Sequence, residues 1–266
     1  MMWWQEQSWT TIEALDNDIP VVVPLGSLEQ HGPHLPLFVD TMQVSEIAQR
    51  VEAAMGDDIL VLPTLWLGCS HHHRDFAGTV SVLPSLYSEM IKSVALSILE
   101  AGFQRIFFMN GHGGNLVPAS LALTELVDSN DEADNAFLTL ATWWHLARES
   151  MAQDKLGMES PNLTHACEYE TSMSLYLRPD LVELNKAENL EPTADSPFFS
   201  HSRSDRVQYI HRWYRFSAIG SSGKPLAATK EKGEAIFEAA TADVIAFLRD
   251  FRTWESRPLS KNPKRT

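Results

Sequence analysis

Pro20-Val21-Val22-Val23-Pro24-Leu25, closed by Gly26, is the stretch on which the fold turns. An unbroken apolar run of this length, ended by glycine, reads as a strand buried on both faces inside a covered parallel sheet. Three more runs share its character: 59–62 (Ile-Leu-Val-Leu), 105–109 (Arg-Ile-Phe-Phe-Met) and 136–142 (Ala-Phe-Leu-Thr-Leu-Ala-Thr). The intervals between them carry helical patterns. Residues 42–54 have helical composition, and residues 86–101 place Tyr87, Met90, Val94 and Ile98 at helical spacing before a stop at Gly102. Phe237, Ala240, Val244, Phe247 and Phe251 trace one face of a long amphipathic helix near the end. Strands alternating with helices predict an α/β fold with three layers, a mostly parallel sheet covered by helices on both faces. Ligands of such sheets bind beyond the carboxyl ends of the strands. The polar motifs of this chain fall there.

Composition narrows the field. The chain has 266 residues, of which 44% are apolar and 21% charged, enough to fill a core without staples. We expect a single domain over residues 1–255 and a flexible tail over 256–266, where Pro, Lys and Arg accumulate. Cys69 and Cys167 are the only cysteines, which points away from a disulfide framework and toward a reducing, cytoplasmic setting. The start, Met1-Met2-Trp3-Trp4-Gln5-Glu6, has neither the basic flank nor the apolar run of a signal peptide, and no window reaches membrane-spanning length. A net charge of −14, from 35 acidic and 21 basic residues, disfavours nucleic acid and anionic membrane as partners. A small-molecule substrate is the expected partner.

Three clusters carry chemistry. The first strand runs into Gly26-Ser27-Leu28-Glu29-Gln30-His31-Gly32-Pro33-His34-Leu35-Pro36, followed by Asp40-Thr41 before a helix. Glu29 and His31 are two apart and face the same way in extended backbone. Two carboxylates and an imidazole suit Zn, Mn or Fe better than Ca or Mg. The competing assignment makes Asp40 a helix cap and Glu29–His31 a loop ion pair. The strand at 105–109 ends in Asn110-Gly111-His112-Gly113-Gly114-Asn115. A glycine-rich turn before a helix also suits an anion cradle, but the Walker lysine and the GxGxxG spacing are absent and His112 points to ligation. The third cluster, His165-Ala166-Cys167-Glu168-Tyr169-Glu170-Thr171-Ser172, heads a helical segment. Helical spacing puts His165 and Glu168 on one face and Glu170 on another, and an acidic first turn also follows from the helix dipole.

These residues closely resemble the signature of the creatininase (creatinine amidohydrolase) family. The resemblance rests on Gly26 to Leu37 with Asp40-Thr41, on Asn110 to Asn115, and on Glu170-Thr171-Ser172. Phe76-Ala77-Gly78-Thr79, where the family usually has Pro at the Ala77 position, and Ala228 to Gly233 extend it over about residues 9–250. It implies two divalent metal ions per chain, Zn foremost with Mn or Fe as alternatives, in a homohexamer. Carried over by motif, Asp40 bridges the metals, Glu29 and His112 complete one site, and His31 binds the other. Creatininase also uses a glutamate two residues after the second-motif histidine, where this chain has Gly114. Glu170 is the expected substitute, with its carboxylate oriented by the Thr171 and Ser172 hydroxyls, and Glu168 is next in line. His165 aligns with a catalytic histidine that protonates a leaving nitrogen. His73, Trp143 and Trp144 are the expected substrate contacts, although adjacent strand residues face opposite ways and one tryptophan belongs to the core. The activity so implied is hydrolysis of a C–N amide bond in a small cyclic or formylated molecule by hydroxide held between the metals. Ring opening of a keto-sugar or inositol derivative is the second reading, and metal binding without catalysis the third.

Overall fold

A computed structural model of the chain describes residues 2–190, 198, 207 and 209–255. Four strands form one parallel sheet: β1 (Val21–Leu25), β2 (Leu60–Val61), β3 (Arg105–Asn110) and β4 (Phe137–Thr142). Their spatial order is β2-β1-β3-β4. The helices are α1 (Trp9–Glu13), α2 (Val39–Met55), α3 (Pro84–Glu100), α4 (Leu116–Ser129), α5 (Asp131–Asn135), α6 (Trp143–Leu146), α7 (Gln153–Leu156), α8 (Glu168–Leu177) and α9 (Lys230–Phe251).

The unbroken hydrophobicity of β1 and of Ile106 to Met109 in β3 has a direct cause. Successive side chains of a strand face opposite ways, so both faces of these strands are core. Val22, Phe107 and Met109 pack beneath α2, α8 and α9, where Val44, Ile47, Met173, Ile236, Phe237 and Val244 are buried. Val21, Val23, Leu25, Ile106 and Phe108 face the other way, toward Tyr87, Ile91 and Ile98 of α3 and Ala119, Ala122 and Leu126 of α4. Burial at about 25 cal/mol per Å² on both faces makes each such strand position costly to polarise. The expected three layers are present, and the elements begin or end within a few residues of the predicted ones. Among the described residues no helix is long and apolar enough to cross a membrane. The predicted tail, 256–266, lies outside the described residues.

From β1 the chain crosses by α2 to β2 on one side, whereas β3 lies on the other side of β1. The carboxyl ends of β1 and β3 therefore flank the switch point of the sheet, where adjacent loops part and leave a crevice. Helix α2 starts at this crevice, and Asp40 is its second residue. It lies inside the first turn rather than at the cap, because the helix begins three residues earlier than its composition suggests.

Candidate metal centre

Two glycines let the strand-end loops close on the start of α2. A Cβ on Gly26 would stand 2.8 Å from the Thr41 Cα, and one on Gly111 would stand 2.7 Å from the Val44 Cβ. Thr41 then donates its hydroxyl to the Ser27 carbonyl at 2.8 Å. Two buried asparagine side chains brace the loops. Asn110 donates to the His112 carbonyl at 2.6 Å and accepts the His112 N–H at 3.2 Å. Asn115 donates to the Gly26 carbonyl and to Asn110 Oδ1 at 3.0 and 3.1 Å, and accepts the Cys69 N–H at 2.9 Å. The ends of β1 and β3 and the loop that carries the three histidines 71–73 are thus tied together.

Glu29, His31, Asp40, His112 and Glu170 all converge on this crevice and are all buried. His31 Nδ1 lies 3.2 Å from the Glu29 carbonyl, which can only accept, so the proton of the neutral ring sits there. The bare Nε2 then points at Asp40 Oδ1 (3.3 Å) and Glu170 Oε2 (3.9 Å). Asp40 presents its other oxygen to His112 Nδ1 at 3.1 Å, and His112 Nε2 lies 3.3 Å from Glu29 Oε2. His31 Nε2 and Asp40 Oδ2 make no well-formed hydrogen bond, although each has an oppositely charged neighbour.

The electrostatics reflect crowded charge. Burial raises the Glu29 carboxyl to about 7 against the pull of His112 and His31. Burial likewise raises Glu170 to about 7 despite His31. Burial alone would lower His31 and His112, but the carboxylates around them carry His31 up to about 10 and His112 to about 9. Asp40, against the effect of its burial, is held well below the carboxylate range by His31 and His112. Without a cation, three buried carboxylates persist here only by protonating themselves or their histidines. Lone pairs of nitrogen and oxygen facing one another at 3–4 Å are what a divalent ion requires. The donor set fits such ions.

Three groups of donors lie within 4.8 Å of one another among the described residues: His31–Asp40–Glu170, Glu29–His31–His165 and Glu29–His72–His112. Glu29, Asp40 and His112, expected to share one ion, do not form such a group. The His112 ring stands between the two acids and offers each a different nitrogen. His72 joins Glu29 and His112 instead.

The third cluster departs from its helical reading. Helix α8 begins at Glu168, so His165 precedes it, and Ala166 adopts a left-handed φ of 52°. That turn reverses the expected faces. Glu170 points to the crevice, its carboxylate accepting the Ala166 N–H. Glu168 points away to Lys232 Nζ at 2.6 Å and to the N–H groups of Glu159 and Ser160 at 3.0 and 2.7 Å. The Thr171 and Ser172 hydroxyls do not hold Glu170. Thr171 pairs with His34 Nε2 at 3.0 Å, and Ser172 accepts the Thr229 N–H at 3.2 Å.

A cavity of about 230 Å³ opens above these groups, lined by His72, His73, Trp144, Thr164, His165 and Trp213 together with Glu29, Asp40, His112 and Glu170. Trp143, expected as a substrate contact, is 1% exposed and packs in the core beneath α9, so of the two tryptophans only Trp144 lines the cavity. His73 is buried 3.5 Å from Glu29 Oε1, with Nδ1 2.6 Å from the Gln30 amide. Burial and the neighbouring imidazoles hold His73 and His165 neutral, well below 6.5. His165 Nε2 lies 2.8 Å from the Gln30 backbone carbonyl and 3.0 Å from the Gln30 side-chain amide nitrogen, and Nδ1 faces Glu29 Oε1 at 3.7 Å. The sequence reading missed Gln30 and Trp213. Gln30 follows Glu29 directly and was available as a polar residue at the strand end. Trp213, whose ring is 4.9 Å from both His73 and His165, comes from a segment with no periodic signal.

An α/β sheet with buried acids and imidazoles gathered at its switch point defines a protein built around a candidate divalent-metal centre. The chain belongs to the creatininase family: the family model described as creatinine amidohydrolase matches residues 5–248. It is 31% identical to the mycofactocin precursor peptide peptidase of Mycolicibacterium smegmatis, over 86% of this chain and 84% of that protein. It is 28% identical to the 3-dehydro-scyllo-inosose hydrolase of Thermotoga maritima (91% and 80% covered) and 26% identical to the creatinine amidohydrolase of Pseudomonas putida (92% and 95%). A crystal structure of creatinine amidohydrolase superposes with a TM-score of 0.79 at 24% identity, covering 96% of this chain and 99% of that one. Creatininases in Zn–Zn and Mn forms superpose equally well, each with a TM-score of 0.79 at 23% identity over 95% of this chain, covering 98% and 99% of their own chains.

Proposed function

We propose that this chain is a metal-dependent hydrolase of a C–N amide bond in a small cyclic or formylated molecule, with two divalent ions held by Glu29, His31, Asp40, His112 and Glu170. The observation that carries this reading is the set of buried acids and imidazoles facing one another across 3.1–3.9 Å beneath a small cavity. Two of the relatives are by name an amidohydrolase and a peptidase, and both act on C–N bonds. The Zn–Zn and Mn forms of creatininase support Zn, then Mn, as the ions. Divalent ions so held would supply Lewis acidity to a carbonyl and lower the pKa of water.

The chain's own residues divide the remaining work. Asp40 directs one oxygen to His31 and the other to His112, which supports it as the residue that would be shared by two ions. The Glu29 carbonyl fixes the His31 ring. His165, neutral and with Nδ1 free of the Gln30 contact, accepts a proton from the attacking water at that atom and returns it to the leaving nitrogen. Trp144 and Trp213 flank a planar substrate and keep water from its faces. A cavity of 230 Å³ suits a small ring, a formamide or one peptide group with its side chain.

The keto-inositol hydrolase among the relatives supports a second reading, ring opening of a cyclic ketone, at the same residues. A panel of lactams, formamides, short peptides and cyclic ketones, offered to Zn- and Mn-loaded protein, separates the two. Turnover confined to amides is expected. Turnover confined to ketones would establish the second reading, and none with any class would refute both.

A further inference from the structure

We propose that His72 is a direct ligand of the Glu29-side ion, a neutral nitrogen donor completing a Glu29–His72–His112 set. This rests on the metal-dependent reading above and names a ligand that the sequence did not supply.

The first support is geometric. One donor atom from each of Glu29, His72 and His112 lies within 4.8 Å of the others, which is near the ligand-to-ligand spacing of a filled site before it tightens. The second is the room made for the ring. A Cβ on Gly114 would stand 2.5 Å from His112 Nε2 and 2.9 Å from His72 Cε1, besides striking the Cys69 carbonyl. No side chain at 114 is compatible with His72 where it stands. The Cys69 carbonyl, the nearest of the three, requires glycine here by itself, and the His72 ring packs into the space that the glycine leaves. The third is orientation: the His72 and His112 rings lie 5.7 Å apart and within 11° of parallel, with Glu29 Oε2 3.3 Å from His112 Nε2. His71, its neighbour, turns away to the Ser81 hydroxyl at 2.8 Å and takes no part.

The partition of charge follows. The His31–Asp40–Glu170 group has two acids and one imidazole, whereas Glu29–His72–His112 has one acid and two imidazoles. With Asp40 shared by both ions each side meets two acids, and the Glu29 side adds two imidazoles where the His31 side has one, a softer and more nitrogen-rich site.

The test is titration of chelator-stripped protein with Zn²⁺ or Co²⁺, followed by calorimetry, elemental analysis and the Co²⁺ absorption spectrum. Wild type is expected to take up two ions. His72→Ala should weaken one binding step by about 100-fold or more while the other is unchanged, losing a direct ligand rather than a mere orienting contact. His72→Glu should restore much of that affinity. His72→Gln, closer in volume, keeps the test decisive if the alanine variant folds poorly by circular dichroism. His71→Ala should bind as wild type does. Two wild-type affinities in folded His72→Ala and His72→Gln would overturn the role of His72 while leaving the metal reading intact. A wild-type protein that binds no ion would overturn both.

Discussion

Glu168→Gln tests how the third cluster divides its two acids between structure and chemistry. The Glu168 side chain is fully buried, and its carboxylate accepts from Lys232 Nζ at 2.6 Å, from the Ser160 N–H at 2.7 Å and from the Glu159 N–H at 3.0 Å. Glutamine keeps the shape but loses the charge, and its amide nitrogen must face a donor. Removing one partner of a buried pair costs about 3–5 kcal/mol. The Lys232 side chain is 19% exposed and keeps the Ala227 carbonyl at 2.9 Å, so water recovers part of the loss. The expected cost is about 2–3 kcal/mol, or roughly 4–12 °C in Tm for a chain of this size. The pH dependence has a definite sign. Burial by itself would raise the Glu168 carboxyl, but Lys232 and the two N–H groups outweigh it and hold it below its ordinary 4.5. A carboxyl depressed on folding contributes stability that is complete above its unfolded pKa and is lost as pH falls through the folded one. Thermal melts of wild type and Glu168→Gln, followed by circular dichroism, should therefore differ by a constant gap from pH 6 to 8. That gap should narrow below about 4.5. Metal content per folded molecule should not change. Equal melting temperatures at pH 7, or loss of an ion from folded Glu168→Gln, would refute the argument.

Glu170→Gln should do the reverse, keeping Tm near wild type while lowering occupancy of the His31-side ion, as read by elemental analysis. Asp40→Ala should empty both sites together and His31→Ala mainly one, since Asp40 reaches both His31 and His112; equal losses in the two variants would exclude a shared ligand. Trp213→Ala should raise KM about tenfold with a smaller change in kcat, the loss of one aromatic face over the substrate, checked by steady-state kinetics on whichever substrate the panel identifies. Sedimentation should give a mass several times that of one chain, as a homohexamer requires, and Trp9→Ala should loosen it because Trp9 is 75% exposed while Trp3 and Trp4 pack within the chain; a single-chain mass would end that expectation.

The sheet was legible because burial on both faces writes itself as unbroken apolar runs, which β1 shows along its whole length and β3 from Ile106 to Met109. The first two clusters were legible as candidates for the crevice because each follows such a run directly, so strand position carried side-chain position with it. In the third, Glu170 was the acid expected at the crevice and it points there, but the grouping of His165 with Glu168 was misread where that link fails. Ala166 turns left-handed just before α8, and no helical periodicity can foresee a reversal made by one residue outside the helix. Trp143 and Trp144 were separable in principle by alternation, but which one met the core depended on where α6 began. His72 was not read as a ligand because three consecutive histidines cannot all converge on one ion, and only the fold gives each a different surrounding, through Ser81, Glu29 and Gly114. Gln30 and Trp213 act through contacts between distant segments, which spacing does not encode.

The asparagine brace has a bearing on how this protein ages. Asn-Gly is the dipeptide most prone to deamidation, through attack of the glycine nitrogen on the asparagine side chain, and Asn110-Gly111 is such a pair at the heart of the site. In the folded chain the Gly111 N–H is tied to the Leu25 carbonyl at 2.8 Å, and both ends of the Asn110 amide are engaged. The attacking and attacked atoms are therefore held apart by the same bonds that join the loops. Were the change to occur in an unfolded molecule, a carboxylate oxygen would replace the nitrogen that now donates to the His112 carbonyl at 2.6 Å, and two acceptors would be set against each other. Each episode of unfolding thus exposes the centre to a covalent lesion that refolding does not repair, and the lifetime of the folded brace sets the chemical shelf life of the site.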